Sequence, residues 1–201
     1  MSAPAPLDAT VANVARVREV VSAAFADDPL FLWLFPDPVT RSDAMAAWIG
    51  LFVEAFAVSG VIDVVHDDDG TITAAALWRL GEAHVTFPTM PSVGGLLVAL
   101  VGPGDAVEKG FGLRAFAEHK PPQPYHYLQF LTVHPDHQGR GLGRQLVAHG
   151  LQRAAAADLG VYLESTNPTN LGFYLAMGLS EVETFDLQPH GPTAHGMWWS
   201  A

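Results

Sequence analysis

The sequence predicts a mixed α/β fold, a central sheet flanked by helices, and three observations carry that prediction. Segments of helical period, beginning near Val11 and Ser42, alternate with short runs rich in branched and aromatic residues such as Val61-Ile-Asp-Val-Val65 and Tyr125 to Val133. The second of those runs passes through a polar turn into glycines at 139, 141 and 143 and then straight into a helix. The glycine loop thus falls at the carboxyl end of a central strand, where ligands of such sheets usually bind. Finally, 201 residues that are 49% hydrophobic suffice for a single domain with a sizeable core.

In chain order, Val14, Val17, Val21, Ala24 and Phe25 recur at helical spacing, and Asp28-Pro29 offers a stop. Leu30-Phe-Leu-Trp-Leu-Phe35 is a dense apolar knot, read as a core plug. Ser42 or Asp43 can cap a second helix whose Met45, Trp48, Ile49, Phe52 and Phe56 form one face and which ends near Gly60. Val61 to Val65 and Ile72 to Trp78 read as strands joined by the hairpin turn Asp67-Asp-Asp-Gly70. Residues 81–124 contain a glycine-interrupted apolar stretch, Val93 to Val101, and an amphipathic helix from Ala106 to His119. Pro121-Pro-Gln-Pro124 breaks the chain before the next strand.

Leu142, Leu146, Val147, Leu151, Ala154, Ala155 and Leu159 give the helix after the glycine loop its apolar stripe, with Gly160 placed to end it. Val161 to Ser165 is a short strand and Thr169 to Met177 a short helix ending at Gly178. Leu179 to Leu187 and Ala194 to Ser200 form a final strand pair. Trp33, Trp48 and Trp78 are first of all core residues, and Trp33 also suits the wall of an acceptor pocket.

Acidic residues outnumber basic ones 21 to 10, and the formal charge of −11 argues against nucleic acid and anionic membranes as partners. An anionic ligand must then be held by local geometry, with Arg140, Arg144 and Arg153 read as a basic cluster around the loop. The absence of cysteine excludes disulfides, cysteine zinc sites and an acyl thioester on the protein. His134 and His137 have a metal-like spacing but no third ligand in view, so no metal is expected. Residues 1–10 have neither a basic nor an apolar leader segment, and no apolar run reaches the roughly 18 residues that span a bilayer, so a cytoplasmic protein is expected.

The loop has the chemistry of an anion cradle. N–H groups in the first turn of a helix have no partner, the helix dipole adds positive potential, and glycine removes the Cβ that would obstruct approach. Gln138-Gly-Arg-Gly-Leu-Gly143 carries no lysine followed by Ser/Thr and lacks the dinucleotide glycine spacing, so the loop alone leaves its ligand open, or is a helix entry that happens to be glycine-rich.

A second motif lies downstream, in Leu163-Glu-Ser-Thr-Asn-Pro-Thr-Asn-Leu-Gly-Phe-Tyr-Leu-Ala-Met-Gly-Leu179. Together the two resemble the GNAT superfamily of acyl-CoA-dependent N-acyltransferases. Its signature joins a Q/R-x-x-G-x-G/A loop to a short helix matched in order and spacing by Asn167, Tyr174, Gly178 and Leu179. Ala23-Ala-Phe-Ala-Asp-Asp-Pro29, Leu77-Trp78, Pro135-Asp-His-Gln-Gly139, and Leu163-Glu164 followed by Asn170-Leu-x-Phe-Tyr174 extend the resemblance to the puromycin N-acetyltransferase branch.

The resemblance implies a GNAT-type mixed, mostly antiparallel central sheet flanked by helices, in one domain spanning 1–201. Residues 11–124 would supply the N-terminal helices, the hairpin and the acceptor side, and 125–201 the acetyl-CoA-binding and C-terminal part. It implies acetyl-CoA as cosubstrate and transfer of the acetyl group to a primary amine of a small molecule, by direct attack in a ternary complex. The loop from Gln138 through Gly139, Arg140, Gly141, Leu142, Gly143 and Arg144 would hold the pyrophosphate. Leu131, Thr132 and Val133 would line the pantetheine arm and acetyl carbonyl, the Val133 N–H would stabilise the oxyanion, and Asn170 would contact CoA. Tyr174 is implied as the acid that protonates the departing thiolate.

Glu164 is the best candidate for the base, followed by His126, and strand alternation puts Tyr162, Glu164 and Thr166 on one face. Asn167 reads as a helix cap. Two other readings remain open, a peptide or protein N-terminus as acceptor and a non-catalytic acyl-CoA-binding sensor. A homodimer is compatible with the sequence. The family opens with a strand, whereas residues 1–10 carry three alanines, two prolines and little strand propensity, so a lost or shortened first strand is expected.

Overall fold

The turn at Asp67 to Gly70 reverses the chain between β2 (Val61–His66) and β3 (Ile72–Arg79). Asp67 Oδ1 accepts from the N–H groups of Asp69 and Thr71, and Gly70 takes the left-handed conformation that closes the turn, with φ +81. The computed structural model describes residues 2–87 and 92–201; residues 88–91, part of the segment assigned to the acceptor side, lie outside the described residues.

β3 pairs antiparallel with β4 (His126–Val133), and β6 (Ser180–Asp186) pairs antiparallel with β7 (Thr193–Trp199), which pairs antiparallel with β5 (Val161–Ser165). With β1 at Ala5–Pro6, the sheet runs in the order β1-β2-β3-β4-β5-β7-β6, and β4 and β5 are its single parallel pair among the described residues. This is the mixed, mostly antiparallel sheet that the sequence led us to expect. The first strand survives as Ala5–Pro6, two residues against Val64 and Asp63. Pro6 has no N–H to donate, which is tolerated on a sheet edge.

The helices are α1 (Val11–Ala24), α2 (Pro29–Leu34), α3 (Arg41–Ser59), α4 (Val93–Val101), α5 (Pro103–Glu118), α6 (Leu142–Ala156) and α7 (Leu171–Ala176). Several boundaries differ from the sequence reading for local reasons. Asp28-Pro29 starts α2 as well as stopping α1, because Asp28 accepts from the Leu30 N–H and proline suits the first helical position. Ser42 and Asp43 lie inside the first turn of α3, whose N-cap is Thr40. α6 ends at Ala157, before Gly160, because Asp158 takes the left-handed turn with φ 54. Gly160 instead serves packing: a Cβ there would come within 2.2 Å of Trp198. α3 is long and apolar enough to cross a membrane, contrary to the sequence expectation, yet Met45, Trp48, Ile49, Val53 and Phe56 on it are buried in the core.

Strand alternation divides the core between the two sheet faces. Ile62, Val64, Ala75, Leu77 and Phe130 meet Val17, Val21, Phe31, Trp48 and Phe56 of α1 to α3. Val65, Ala74, Ala76, Trp78, Leu128 and Leu163 meet Leu142, Leu146, Val147, Leu151 and Ala154 of α6. Pairing passes from Leu77↔Phe130 to Trp78↔Leu128, so Gln129 is an extra residue, a bulge that puts Leu128 and Phe130 on opposite faces. Arg153, in the last turn of α6, bonds both oxygens of the fully buried Asp63 on β2 at 2.8 and 2.9 Å. It is therefore committed to that pair and does not join the cluster expected around the glycine loop.

Trp78 and α6 approach so closely that a Cβ on Gly150 would lie 2.1 Å from Trp78 Cζ2. Gly150→Ala should accordingly destabilise the fold by ~1–3 kcal/mol, even though alanine favours a helix. Urea unfolding measures this, and an unchanged midpoint would show that helix and indole can separate without cost.

Candidate active site

The stretch between β4 and α6 is built to expose donors. His134 N–H donates to the Thr73 carbonyl, prolonging the β3–β4 ladder, and Pro135–His137 forms a single 3₁₀ turn closed by Gln138 N–H on the Pro135 carbonyl. The first α6 bond is from Gln145 N–H to the Gly141 carbonyl, at 3.1 Å. Among the described residues, no hydrogen bond engages the N–H groups from 139 to 144. Gly139 and Gly141 are left-handed, with φ +74 and +79, and a Cβ on either would stand in open space.

Such a run of donors at a helix start is an anion nest. It borders a cavity of about 260 Å³ lined also by Val133, His137, Arg144 and Phe173. The Arg140 side chain bonds back to the Asp136 carbonyl, while Arg144 is exposed beside the cavity.

The strand leading to this nest also has free backbone groups. Because His134 pairs with Thr73, antiparallel alternation directs the Thr132 backbone toward β3 and those of Leu131 and Val133 away from it. On that other side β4 pairs with β5 only at His126↔Val161 and Tyr127↔Tyr162, so the two strands part and leave Leu131 and Val133 facing a gap. The Val133 carbonyl accepts from Gln138 Nε2 at 3.3 Å. Thr132 does not front the gap: it is buried and its hydroxyl donates to the Ala75 carbonyl at 3.3 Å, which corrects its expected place beside a ligand.

Tyr174 is buried on α7, beyond the carboxyl end of β5. Burial first, and the Asp28 charge second, raise its phenol far above the ordinary tyrosine range, so it stays protonated. Asn167 caps the turn before α7, accepting from the Thr169 N–H at 3.1 Å. Asn170 is exposed at the α7 start.

Glu164 shares a face of β5 with Tyr162, and on that face it meets an aromatic cluster of Tyr125, Tyr127, Tyr162 and Trp198, while Thr166 lies just past the strand. The Tyr127 hydroxyl donates to Glu164 Oε2 at 2.7 Å, while Oε1 is sealed from solvent without a partner among the described residues. Burial pushes the carboxyl above its ordinary range, offset in part by the Lys120 charge and the Tyr127 bond. Lys120 itself lies 3.9 Å over the Tyr127 ring. His126 is engaged elsewhere, since its Nδ1 accepts from the Gly81 N–H at 3.0 Å, and burial lowers its pKa.

Sequence reasoning passed over Tyr127, Lys120 and Asp28. Simple alternation along β4 would have put Tyr127 on the Leu131 face, and it is the bulge at Gln129 that turns it to the Glu164 side; the Asp-Pro pair at a helix start marks a cap. Nothing local reveals that Asp28 Oδ1 also accepts from Thr166, 138 residues away, at 3.1 Å.

Residues 95–179 match the model of the acetyltransferase (GNAT) family. The chain is 30% identical to a Corynebacterium glutamicum ATCC 13032 protein described as histone acetyltransferase HPA2 and related acetyltransferase, covering 98% of this chain and 96% of that one with a TM-score of 0.74. It shares its fold with Naa20 of Chaetomium thermophilum, solved with a bisubstrate analogue, at 16% identity, TM-score 0.52 and coverage of 99% and 86%. The same holds for mosquito arylalkylamine N-acetyltransferase like 5b, at 9% identity, TM-score 0.55 and coverage of 98% and 100%. With a relative of 30% identity aligned over nearly its whole length at a TM-score of 0.74, and the family model matching residues 95–179, the chain belongs to the GNAT acetyltransferase family.

Proposed function

We propose that this acetyltransferase moves the acetyl group of acetyl-CoA onto a primary amine of a small molecule, by direct attack while both substrates are bound. The observation that carries the reading is the run of unpartnered N–H groups from 139 to 144 beside the β4–β5 gap. Acetyl-CoA would supply the activated acyl group and a thiol leaving group. Residues 139–144 fit its pyrophosphate, with Gln138 spent on the Pro135 and Val133 carbonyls instead of joining them; Leu131 and Val133 offer backbone groups to an extended arm as a sheet edge does to an added strand, and Asn170 stands at the exposed end.

Deprotonation and reprotonation fall to different groups. Glu164, with Tyr127 bonded to it, accepts the proton of the amine directly or through water, and Tyr174 donates a proton to the thiolate. The sequence contains no cysteine, which agrees with direct transfer. A small acceptor is favoured over a peptide because the acceptor side is tied shut at one end. Trp33 Nε1 on α2 donates to the Pro189 carbonyl in the β6–β7 turn at 3.3 Å, and Gly112 of α5 packs against both Trp33 and the Gln188 carbonyl. The resemblance to the puromycin N-acetyltransferase branch supports the same preference.

Gly141→Ala tests the cradle. Alanine at positive φ should cost roughly 1 kcal/mol of stability, whereas the Michaelis constant for acetyl-CoA should rise by about tenfold or more as the Cβ crowds the nest. An unchanged constant in a folded variant removes the cradle from the mechanism.

Tyr174→Phe deletes one hydroxyl. Turnover should fall ~10²-fold to 10⁴-fold with acetyl-CoA affinity nearly unchanged, as expected for a proton donor. Normal turnover would reduce Tyr174 to packing.

The pH profile tests Glu164. Its carboxyl ionises above the ordinary range, so the wild-type rate should climb as that ionisation proceeds. Glu164→Gln should lose most at pH values above that ionisation but below that of the amine, and approach wild type at alkaline pH as free amine accumulates. Parallel profiles would assign the proton to another route.

A further inference from the structure

Buried carboxylates in this protein are normally matched by a cation. Asp63, fully buried, has Arg153 at 2.8 Å and His149 at 3.7 Å. Glu164 has the Lys120 charge and the Tyr127 hydroxyl. Asp28 is only 7% exposed, yet no basic side chain pairs with it among the described residues. Oδ1 takes both of its bonds, from the Leu30 N–H at 3.0 Å and the Thr166 hydroxyl at 3.1 Å, leaving Oδ2 without a partner among the described residues. A helix cap does not need a charge, since asparagine serves as well. Burial pushes the Asp28 carboxyl above its ordinary range, and a cation arriving at Oδ2 would favour its ionised form.

Its surroundings suggest what arrives. Thr166 follows Glu164 by two residues, just past the end of β5, so Asp28 is tied to the chain immediately beyond the strand that carries Glu164. The Asp28 charge also reaches Tyr174. Asp28 N–H donates to the Phe25 carbonyl in the same turn, and Phe25 begins an edge-to-face series through Phe130 and Phe52 to Phe87. Phe25, Phe52 and Phe87 are half-buried, and Phe130 precedes Leu131 at the β4–β5 gap.

We propose that Asp28 anchors the ammonium group of the acceptor through Oδ2, and that the phenylalanine series receives a flat apolar body, making the acceptor a small aryl-bearing amine. The assignment rests on the amine-acetylating reading above and names its substrate class. Asp28 acts in recognition, before Glu164 takes up the proton. Held through Oδ1 by the Leu30 N–H and the Thr166 hydroxyl, its carboxyl is fixed in orientation, which is the preorganisation that a docking carboxylate requires.

Binding without turnover separates this proposal from the reading beneath it. Calorimetry at neutral pH compares phenethylamine with 2-phenylethanol, nearly the same shape without the charge, on the wild type and on Asp28→Asn, which keeps the cap and the acceptor for Thr166. The wild type should prefer the amine by about 10-fold to 100-fold, the range of a charged hydrogen bond. Asp28→Asn should bind both alike, with acetyl-CoA affinity unchanged. An undiminished preference in Asp28→Asn overturns the anchor, and failure of the wild type to bind phenethylamine overturns the aryl-amine class. Amine binding that survives while acetyl-CoA yields no acetylated product would instead overturn the catalytic reading and leave the anchor standing.

Discussion

The parting of β4 from β5 is the constraint on which the site depends. Two strands that run parallel and pair at only two positions leave main-chain donors and acceptors unspent on both sides of the opening. That arrangement is tolerable only where something else satisfies those groups. Everything around the opening follows from it: the glycine loop begins where β4 ends, α7 begins just beyond the end of β5, and the bulge at Gln129 turns Leu128 and Phe130 to opposite faces just before it. The antiparallel pairs on either flank hold the two strands apart, with β3 gripping β4 and β7 gripping β5 along its full length.

What could be read from the sequence was what short-range chemistry determines. The hairpin at Asp67 to Gly70, the start of the helix after the glycine loop and the placing of Tyr162 and Glu164 on one face of β5 depend on residues a few positions apart, and each appears as expected. Errors gathered where a distant partner decides. Arg153 looked like part of the loop's charge until Asp63, 90 residues away, claimed it. Gly160 looked like a helix end, whereas its small size is required by Trp198. Thr132 looked like a member of a binding strand, but the ladder with β3 turns its backbone and side chain the other way. Asp28 carried a legible capping signal that disguised its second contact.

The two sheet faces divide the labour. The α6 side is dominated by apolar contacts, with its charge confined to the Asp63 pair at the far end of the helix from the loop, so the nest is presented by a rigid rod fastened at both ends. The opposite face, covered by α1 to α3, mixes aromatic rings with ionisable groups. Rigidity on one side and polar chemistry on the other suit a protein that must hold one substrate in a fixed pose while admitting another.

Main-chain amides carry no ionisable proton, and the nest built from them has consequences for how the protein responds to its medium. Its attraction for an anion does not fade as acidity changes, nor is it lost when a neighbouring residue drifts in sequence, because each donor is supplied whatever the side chain, provided that the two left-handed glycines remain. The surrounding chain is strongly acidic, at −11 overall. Added salt shortens the reach of that long-range repulsion, to about 8 Å at physiological ionic strength, while contacts made inside the nest are hardly screened. A polyanion approaching this protein therefore meets repulsion at a distance and attraction on contact, the reverse of sites that steer their ligands with lysine and arginine.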